Sequence, residues 1–277
     1  MTNGRVRIKR AFLTAVAAVA GTFFLSPYVM MLLTSLKPTD EIFAKPTQLL
    51  PSAWTLDAYL TVWSAAPLVD YLRNSLFIGL SSTIVVLFAA APAAYCTARM
   101  RFRGRWLFLG LVLVTQMIVP STLIIGLYRQ MVAVGLVDNL VGLVLVNAAF
   151  NLAFAIWILH AYFGSIPVEI EEAALLDGCG RLGVLRRVVL PLSLPGVVTA
   201  TIFTFIAVWN EYVVALTLIR TEENLPITVG IASFVGKIVI EYQHLFAASL
   251  IAVVPVVILF ALIERHLAGG LTVGSVK

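Results

Sequence analysis

Six stretches of this 277-residue chain are apolar for long enough to cross a hydrocarbon core: Ala11–Leu33, Leu72–Ala98, Trp106–Leu127, Leu140–Phe163, Leu194–Ile219 and Leu245–Leu267. A spanning helix needs roughly 20 such residues. Inside a bilayer every backbone N–H and C=O must be satisfied within the helix or by a closed barrel. The runs are continuous rather than alternating, which excludes barrel strands and predicts an all-α polytopic membrane protein with six transmembrane helices. Composition agrees: 61% of residues are hydrophobic and 12% charged, against about half and a quarter in a soluble domain. We expect one transmembrane domain over residues 1–277, with a core at about 70–267. The first run follows basic residues, as a signal peptide would, but is too long for one and reads as an uncleaved span.

Charge placement fixes an orientation. Lys and Arg concentrate in loops that stay on the cytoplasmic side. Arg5, Arg7, Lys9 and Arg10, then Arg99, Arg101, Arg103 and Arg105, then Arg181, Arg186 and Arg187, and finally Arg265 and Lys277 all fall on one side of six spans. On the other side, Lys37, Lys45, Arg73, Arg129, Arg220 and Lys237 are outnumbered by acids that include Asp138, Glu222 and Glu241. Both termini and the loop at about 165–193 are therefore expected in the cytoplasm. The net charge of +5 does not point to nucleic acid, because the basic residues sit in short loops and not on a stripe interleaved with aromatics. Cys96 and Cys179 form no zinc or disulfide framework. The histidines His160, His244 and His266 are isolated, and His160 is read as packed and not as a proton relay. Outside, residues 35–69 carry Pro38, Pro46, Pro51 and Pro67, which disfavour a long helix, and Trp54, Tyr59 and Trp63, which suit a membrane interface.

The loop at 165–193 gathers Glu169, Glu171, Glu172, Asp177, Arg181, Arg186 and Arg187 in a chain otherwise poor in charge. Ser165 and Pro167 make a helix start, and acids in the first turn complement the helix dipole. Ala173 and Ala174 are small helix formers that let a partner approach. Gly178 is placed to end the helix. A second short helix is expected over Arg181–Leu190, with Leu182, Leu185, Val188 and Val189 on its apolar side. Pro191 and Pro195 mark the turn into the fifth span. From these residues alone, a helix–turn–helix that docks a soluble partner and an amphipathic loop lying on the membrane are both open.

The spacing Glu172-Ala173-Ala174, Gly178, Val188, Leu190-Pro191 resembles the signature loop of ABC-importer permeases. Ser35-Leu36-Lys37-Pro38, Glu41-Ile42-Phe43, Trp54-Thr55-Leu56, Trp209-Asn210-Glu211-Tyr212 and the terminal Gly270-Leu271-Thr272-Val273-Gly274-Ser275-Val276-Lys277 are similar to the second permease subunit of maltose-type carbohydrate importers. The resemblance covers essentially the whole chain, with Val188 in place of the usual Ile and Cys179 where a small residue is common. It implies the type I ABC-importer permease fold, with the cytoplasmic coupling helix between spans 4 and 5. It also implies a bacterial cytoplasmic membrane and four partners: an ATP-binding cassette ATPase dimer, a second related permease, an extracytoplasmic solute-binding protein and a carbohydrate substrate. The residues it assigns to ATPase coupling are Glu172, Ala173, Ala174, Asp177, Gly178, Arg181, Leu190 and Pro191. ATP and Mg would be bound by the partner. This chain has no phosphate-cradling Gly-x-x-x-x-Gly-Lys-Ser/Thr run, so no cofactor and no catalytic residue is expected in it.

Polar groups inside spans face protein or water. Glu211, beside Asn210, reads equally as a path-lining group and as a structural hydrogen-bond acceptor. Asn147 and Asn151 lie four apart and share a helix face. With Gln116 they are candidates for the solute path, since amides both donate and accept toward sugar hydroxyls. Helix–helix hydrogen bonding is the other reading. Pro120 and Pro255 are placed to kink their helices. A stand-alone secondary transporter or channel for a small polar solute is the alternative function. It lacks support, because no pair of broken helices in matched halves is evident. No nucleophile–base constellation points to an intramembrane enzyme.

Overall fold

The computed structural model describes residues 2–42, 49–236 and 241–271, without the side chains of 2–9, 11 and 263–271. Phe43, Lys45, Pro46, Lys237 and the terminal run from Thr272 to Lys277 lie outside the described residues, as do the side chains of Arg5, Arg7, Lys9, Arg265 and His266. The main helices are α1 (Thr2–Ser35), α2 (Asp57–Ala65), α3 (Leu68–Arg99), α4 (Arg105–Gln116), α5 (Ile124–Ala133), α6 (Leu140–Ser165), α7 (Val168–Leu176), α8 (Arg181–Leu192), α9 (Leu194–Trp209), α10 (Val213–Leu218), α11 (Ile227–Ala232) and α12 (Tyr242–Leu271).

Among the described residues, four helices are long and apolar enough to span on their own, in α1, α3, α6 and α12. The third and fifth runs differ from the expectation of continuous helices. α4 stops at Gln116, and the segment beginning at Pro120 turns away by 89° before continuing as α5. Pro120 opens a 3-10 turn and so breaks the span instead of kinking it, because proline has no N–H to donate to the preceding turn. α9 has 16 residues, or about 24 Å of helix, short of a full crossing. The chain breaks at Asn210–Tyr212 and resumes as α10. Pro255 lies inside α12.

The chain divides into two units, Met1–Leu68 with Ile231–Val254, and Val69–Gly230 with Pro255–Lys277. In the first, the Ser35 hydroxyl bonds the Tyr59 hydroxyl at 2.8 Å, and the Thr55 N–H donates to the Leu36 carbonyl at 3.0 Å. The Gln243 amide reaches the Lys37 carbonyl, while its oxygen accepts from Thr39 at 2.9 Å. Ser35 and Lys37 are buried. The Ser-Leu-Lys-Pro and Trp-Thr-Leu segments, far apart on a flexible chain, are thus pinned to each other. His244 is held on both sides: its Nδ1 lies 2.7 Å from Glu241 and its Nε2 2.9 Å from Thr61.

The second unit has its core where α3, α6, α8 and α9 meet. Val86, Ala90, Ala94, Ala155, Leu159, Phe163, Val184, Val189 and Ala200 are all buried there. Lipid tails are as apolar as leucine, so such helices associate by close packing, and small side chains permit it. At Gly196 the approach is closer still, since any Cβ would fall on the Tyr162 ring. A second cluster joins Ile78, Leu143, Val208, Val214, Leu218 and Val229. α6 begins at Asn139, whose side chain accepts the Val141 N–H at 2.8 Å, a capping bond of the preferred kind.

The loop before α6 is tied to the loop after α10 by Asp138. Its carboxylate accepts the Arg220 and Thr221 N–H groups at 3.0 and 3.1 Å and the Thr221 hydroxyl at 3.0 Å. Burial pushes its pKa up, but the hydrogen bonds from Arg220 and Thr221 outweigh burial and hold it below the usual range. A depressed carboxylate stabilises the fold fully above its unfolded pKa, about 3.9. That contribution is lost as pH falls through the lower folded value. We expect the thermal midpoint of the detergent-purified protein to fall on acidification below about pH 4, and Asp138→Asn to remove part of that slope. An identical slope in the variant would refute the assignment.

Candidate functional site: a surface loop and an intramembrane cavity

The loop at 165–193 folds as two helices around a tight turn. α6 runs through Ser165, whose hydroxyl donates back to Tyr162. Ser165 therefore is not the cap, and α7 starts after Pro167 with no side-chain cap. α7 ends as expected. Gly178 has φ +86°, its N–H donates to the Leu175 carbonyl, and the Cys179 N–H donates to that of Ala174, both at 3.1 Å. This crossed pair is the Schellman closure, in which a left-handed glycine satisfies the last carbonyls. α8 contains a π-helical turn over Leu185–Val189. That turn shifts the register: Val184, Leu185 and Val189 enter the core, while Leu182, expected on the apolar side, is 76% exposed. α8 bends by 82° into α9, with Ser193 between them.

Of the residues expected to couple to an ATPase, Glu172, Ala173, Asp177, Gly178, Arg181 and Pro191 are exposed, and Ala174 and Leu190 are partly buried against the core. Leu176, 89% exposed, adds an apolar group to the same face. Beside it, Asp177, Gly178, Gly180, Leu182, Arg186 and Arg187 line a cleft of about 760 Å³. The two short helices thus present an exposed face that mixes apolar, acidic and basic groups.

Glu171 behaves differently from its neighbours. It is 4% exposed, and its carboxylate accepts from the Arg99 Nε at 2.5 Å and from the Tyr95 hydroxyl at 3.2 Å. Arg99 also donates to the Ile166 carbonyl at 2.6 Å. The Arg99 end of α3 thus grips α7 through a buried ion pair. Sequence reasoning missed this and grouped Glu171 with the outward acids. One signal was available: successive helix residues point about 100° apart, so Glu171 and Glu172 could not both face a partner.

The second candidate region lies among α4, α6, α9 and α10. Gln116, Asn147, Asn151 and Glu211, with Thr115 and Phe150, line one cavity of about 310 Å³. Asn147 donates to the Leu143 carbonyl at 3.0 Å, Asn151 to that of Asn147 at 2.9 Å and Gln116 to that of Phe150 at 3.0 Å. Glu211 fills the break after α9, and its carboxylate accepts the Val214 and Ala215 N–H groups at 2.7 and 2.9 Å. Glu211 thus caps α10 and also lines the cavity. Asn210 does not join them; it is exposed and donates to the Ile206 carbonyl at 2.8 Å. His160 packs against Trp157, with Nδ1 3.0 Å from the Thr97 hydroxyl.

Comparison with known proteins gives this geometry a context. Residues 86–273 match the family described as binding-protein-dependent transport system inner membrane component. The trehalose transport system permease protein SugB of Mycobacterium tuberculosis is 35% identical over 257 residues, 92% of this chain and 93% of that protein. The inner membrane ABC transporter permease protein YcjP of Escherichia coli is 34% identical over 255 residues, 91% of each. In fold, the chain is similar to a chain from the crystal structure of a bacterial ABC transporter that imports the acidic polysaccharide alginate, with a TM-score of 0.80 and 24% identity over 94% of this chain and 96% of that one. A helical membrane chain whose outward loop carries the Glu-Ala-Ala turn, and whose relatives match nearly end to end, belongs to the binding-protein-dependent transport system inner membrane components: it is a multi-pass ABC-importer permease subunit.

Proposed function

We propose that this subunit forms half of the translocation path of an ATP-driven importer for a carbohydrate. It would work in a bacterial cytoplasmic membrane with a second related permease, an ATP-binding cassette ATPase dimer and an extracytoplasmic solute-binding protein. The whole chain would act as one transmembrane domain with six crossings, counting each broken run as one. Both termini and α7 would face the cytoplasm, as the arginine distribution supports. The observation that carries this reading is the path from α7 through the hydrogen-bonded Gly178 turn and α8 to α9. ATP and Mg would bind in the partner, and closure of the ATPase dimer would move α7. With no slack at the turn, α9 would move with it. That motion would switch the cavity between two accessible states, which is what coupling between sites requires.

The cavity supports a neutral polyhydroxyl solute. Its lining offers amides, a hydroxyl and one carboxylate, and no Lys, Arg or His. Amides can donate to and accept from sugar hydroxyls, and a carboxylate with no cation nearby opposes an anion. The relative named for trehalose transport supports the same solute class. Glu172 is assigned a polar contact to the ATPase. The tagged protein, solubilised from its native membrane, is expected to carry a second permease and a soluble ATPase with it. Glu172→Lys is expected to retain the permease and lose the ATPase. If wild type emerges alone, or the ATPase ignores residue 172, this reading gives way to a stand-alone transporter.

A further inference from the structure

The loop between α3 and α4 places Arg101, Arg103 and Arg105 within five residues. Gly104, at φ +91°, reverses the chain so that Arg101, Phe102, Arg103, Arg105 and Trp106 line one cavity of about 360 Å³. Among the described residues none of these three guanidiniums has a carboxylate partner. The Arg105 Nε is buried with no hydrogen-bond partner, and its Cζ lies 5.3 Å from the centre of the Trp106 ring. Three guanidiniums around one cavity, without a carboxylate partner, favour an anionic ligand from outside the chain. Two features select its kind. Trp106 and Phe102 are 73% and 45% exposed, at the position where aromatic side chains mark a bilayer interface. Directly beyond them α4 leaves Leu107, Leu111 and Val114 exposed, an apolar flank that acyl chains can cover. The loop follows directly on Arg99, so it lies at the same end of α3 as the coupling loop.

We propose that this loop is a binding site for an anionic phospholipid, whose phosphate is held by the three arginines and whose acyl chains lie along α4. Clustered arginines immediately beside a span attract acidic headgroups, and guanidinium is suited to phosphate through its paired donors. Soluble phosphate would satisfy the arginines but would leave the apolar flank uncovered.

The test is native mass spectrometry of the purified full chain in detergent, titrated with dioleoyl phosphatidylglycerol, dioleoyl phosphatidylcholine or inorganic phosphate. Phosphatidylglycerol is expected to bind in preference to phosphatidylcholine and to raise the thermal midpoint, with inorganic phosphate doing neither. Arg101→Gln/Arg103→Gln/Arg105→Gln is expected to weaken phosphatidylglycerol binding on the order of 100-fold, from about 1 kcal/mol for each arginine. The triple Lys variant keeps the charge and the inside-positive loop and is expected to retain most of the binding. Equal binding of the two lipids by wild type would overturn the proposal without recourse to any variant. So would an equal effect from inorganic phosphate, or undiminished binding in a folded Gln variant.

Discussion

Arg99→Ala is expected to destabilise the protein by roughly 3–5 kcal/mol, the range for removing one partner of a buried ion pair. The side chains of Arg99 and Glu171 are only 11% and 6% exposed, so solvent cannot take over for the missing charge. The substitution leaves Glu171 with the Tyr95 hydroxyl as its remaining side-chain donor, and the Ile166 carbonyl loses the Arg99 donor. Tyr95→Phe removes one neutral donor to a charge and is expected to cost less, about 1.5–3 kcal/mol. Replacing both charges together, as Arg99→Met with Glu171→Leu, is expected to recover much of the loss, because two well-packed apolar groups avoid the desolvation that the ion pair incurs. Thermal unfolding in detergent checks all three. A wild-type midpoint in Arg99→Ala would mean that the pair is solvated and that α7 is not held by α3. Uptake separates stability from coupling: if the grip of α3 on α7 matters for transport, the doubly apolar variant unfolds near the wild-type temperature yet transports less.

Some of this architecture was legible in the sequence because it rests on single strong signals. Lengths of apolar run placed the long helices of α1, α3, α6 and α12, and the position of Gly178 placed the closure of α7. The failures have physical reasons. Pro120 was read as a kink, but a proline followed by Ser121 and Thr122 ends α4 outright. The break at Asn210–Tyr212 is invisible in an apolar run and is set by Glu211, which supplies α10 with its own cap. Leu182 was assigned to the buried side of α8 on a 3.6-residue period, which the π-helical turn at Leu185–Val189 does not keep. The α3–α7 ion pair joins residues 72 positions apart, and no local pattern encodes it. Gln116, Glu211 and the pair Asn147 and Asn151, four apart on one helix face, were chosen from separate apolar runs, and their convergence on one cavity is tertiary information.

Gly178→Pro is expected to abolish uptake while leaving the protein in the membrane. Two effects add. Proline fixes φ near −65°, whereas residue 178 sits at +86°, so the turn between α7 and α8 cannot close as built. Proline also lacks the N–H that residue 178 donates to the Leu175 carbonyl. The turn has nothing packed where a side chain would project, which separates backbone conformation from steric crowding and makes a graded series informative. Gly178→Asn is expected to retain most activity, since Asn tolerates the left-handed region better than other side chains. Gly178→Ala is expected to cost about 1–2 kcal/mol of turn stability and to transport at an intermediate rate. Membrane insertion depends on the apolar runs and the flanking arginines, which none of these changes touches, so membrane content should be constant across the series. Uptake assayed in whole cells, normalised to membrane-embedded protein, should therefore follow the order Gly, Asn, Ala, Pro. Full uptake by Gly178→Pro would show that α7 and α8 need no fixed angle between them, and the transmission of force from the loop to α9 would have to take another route.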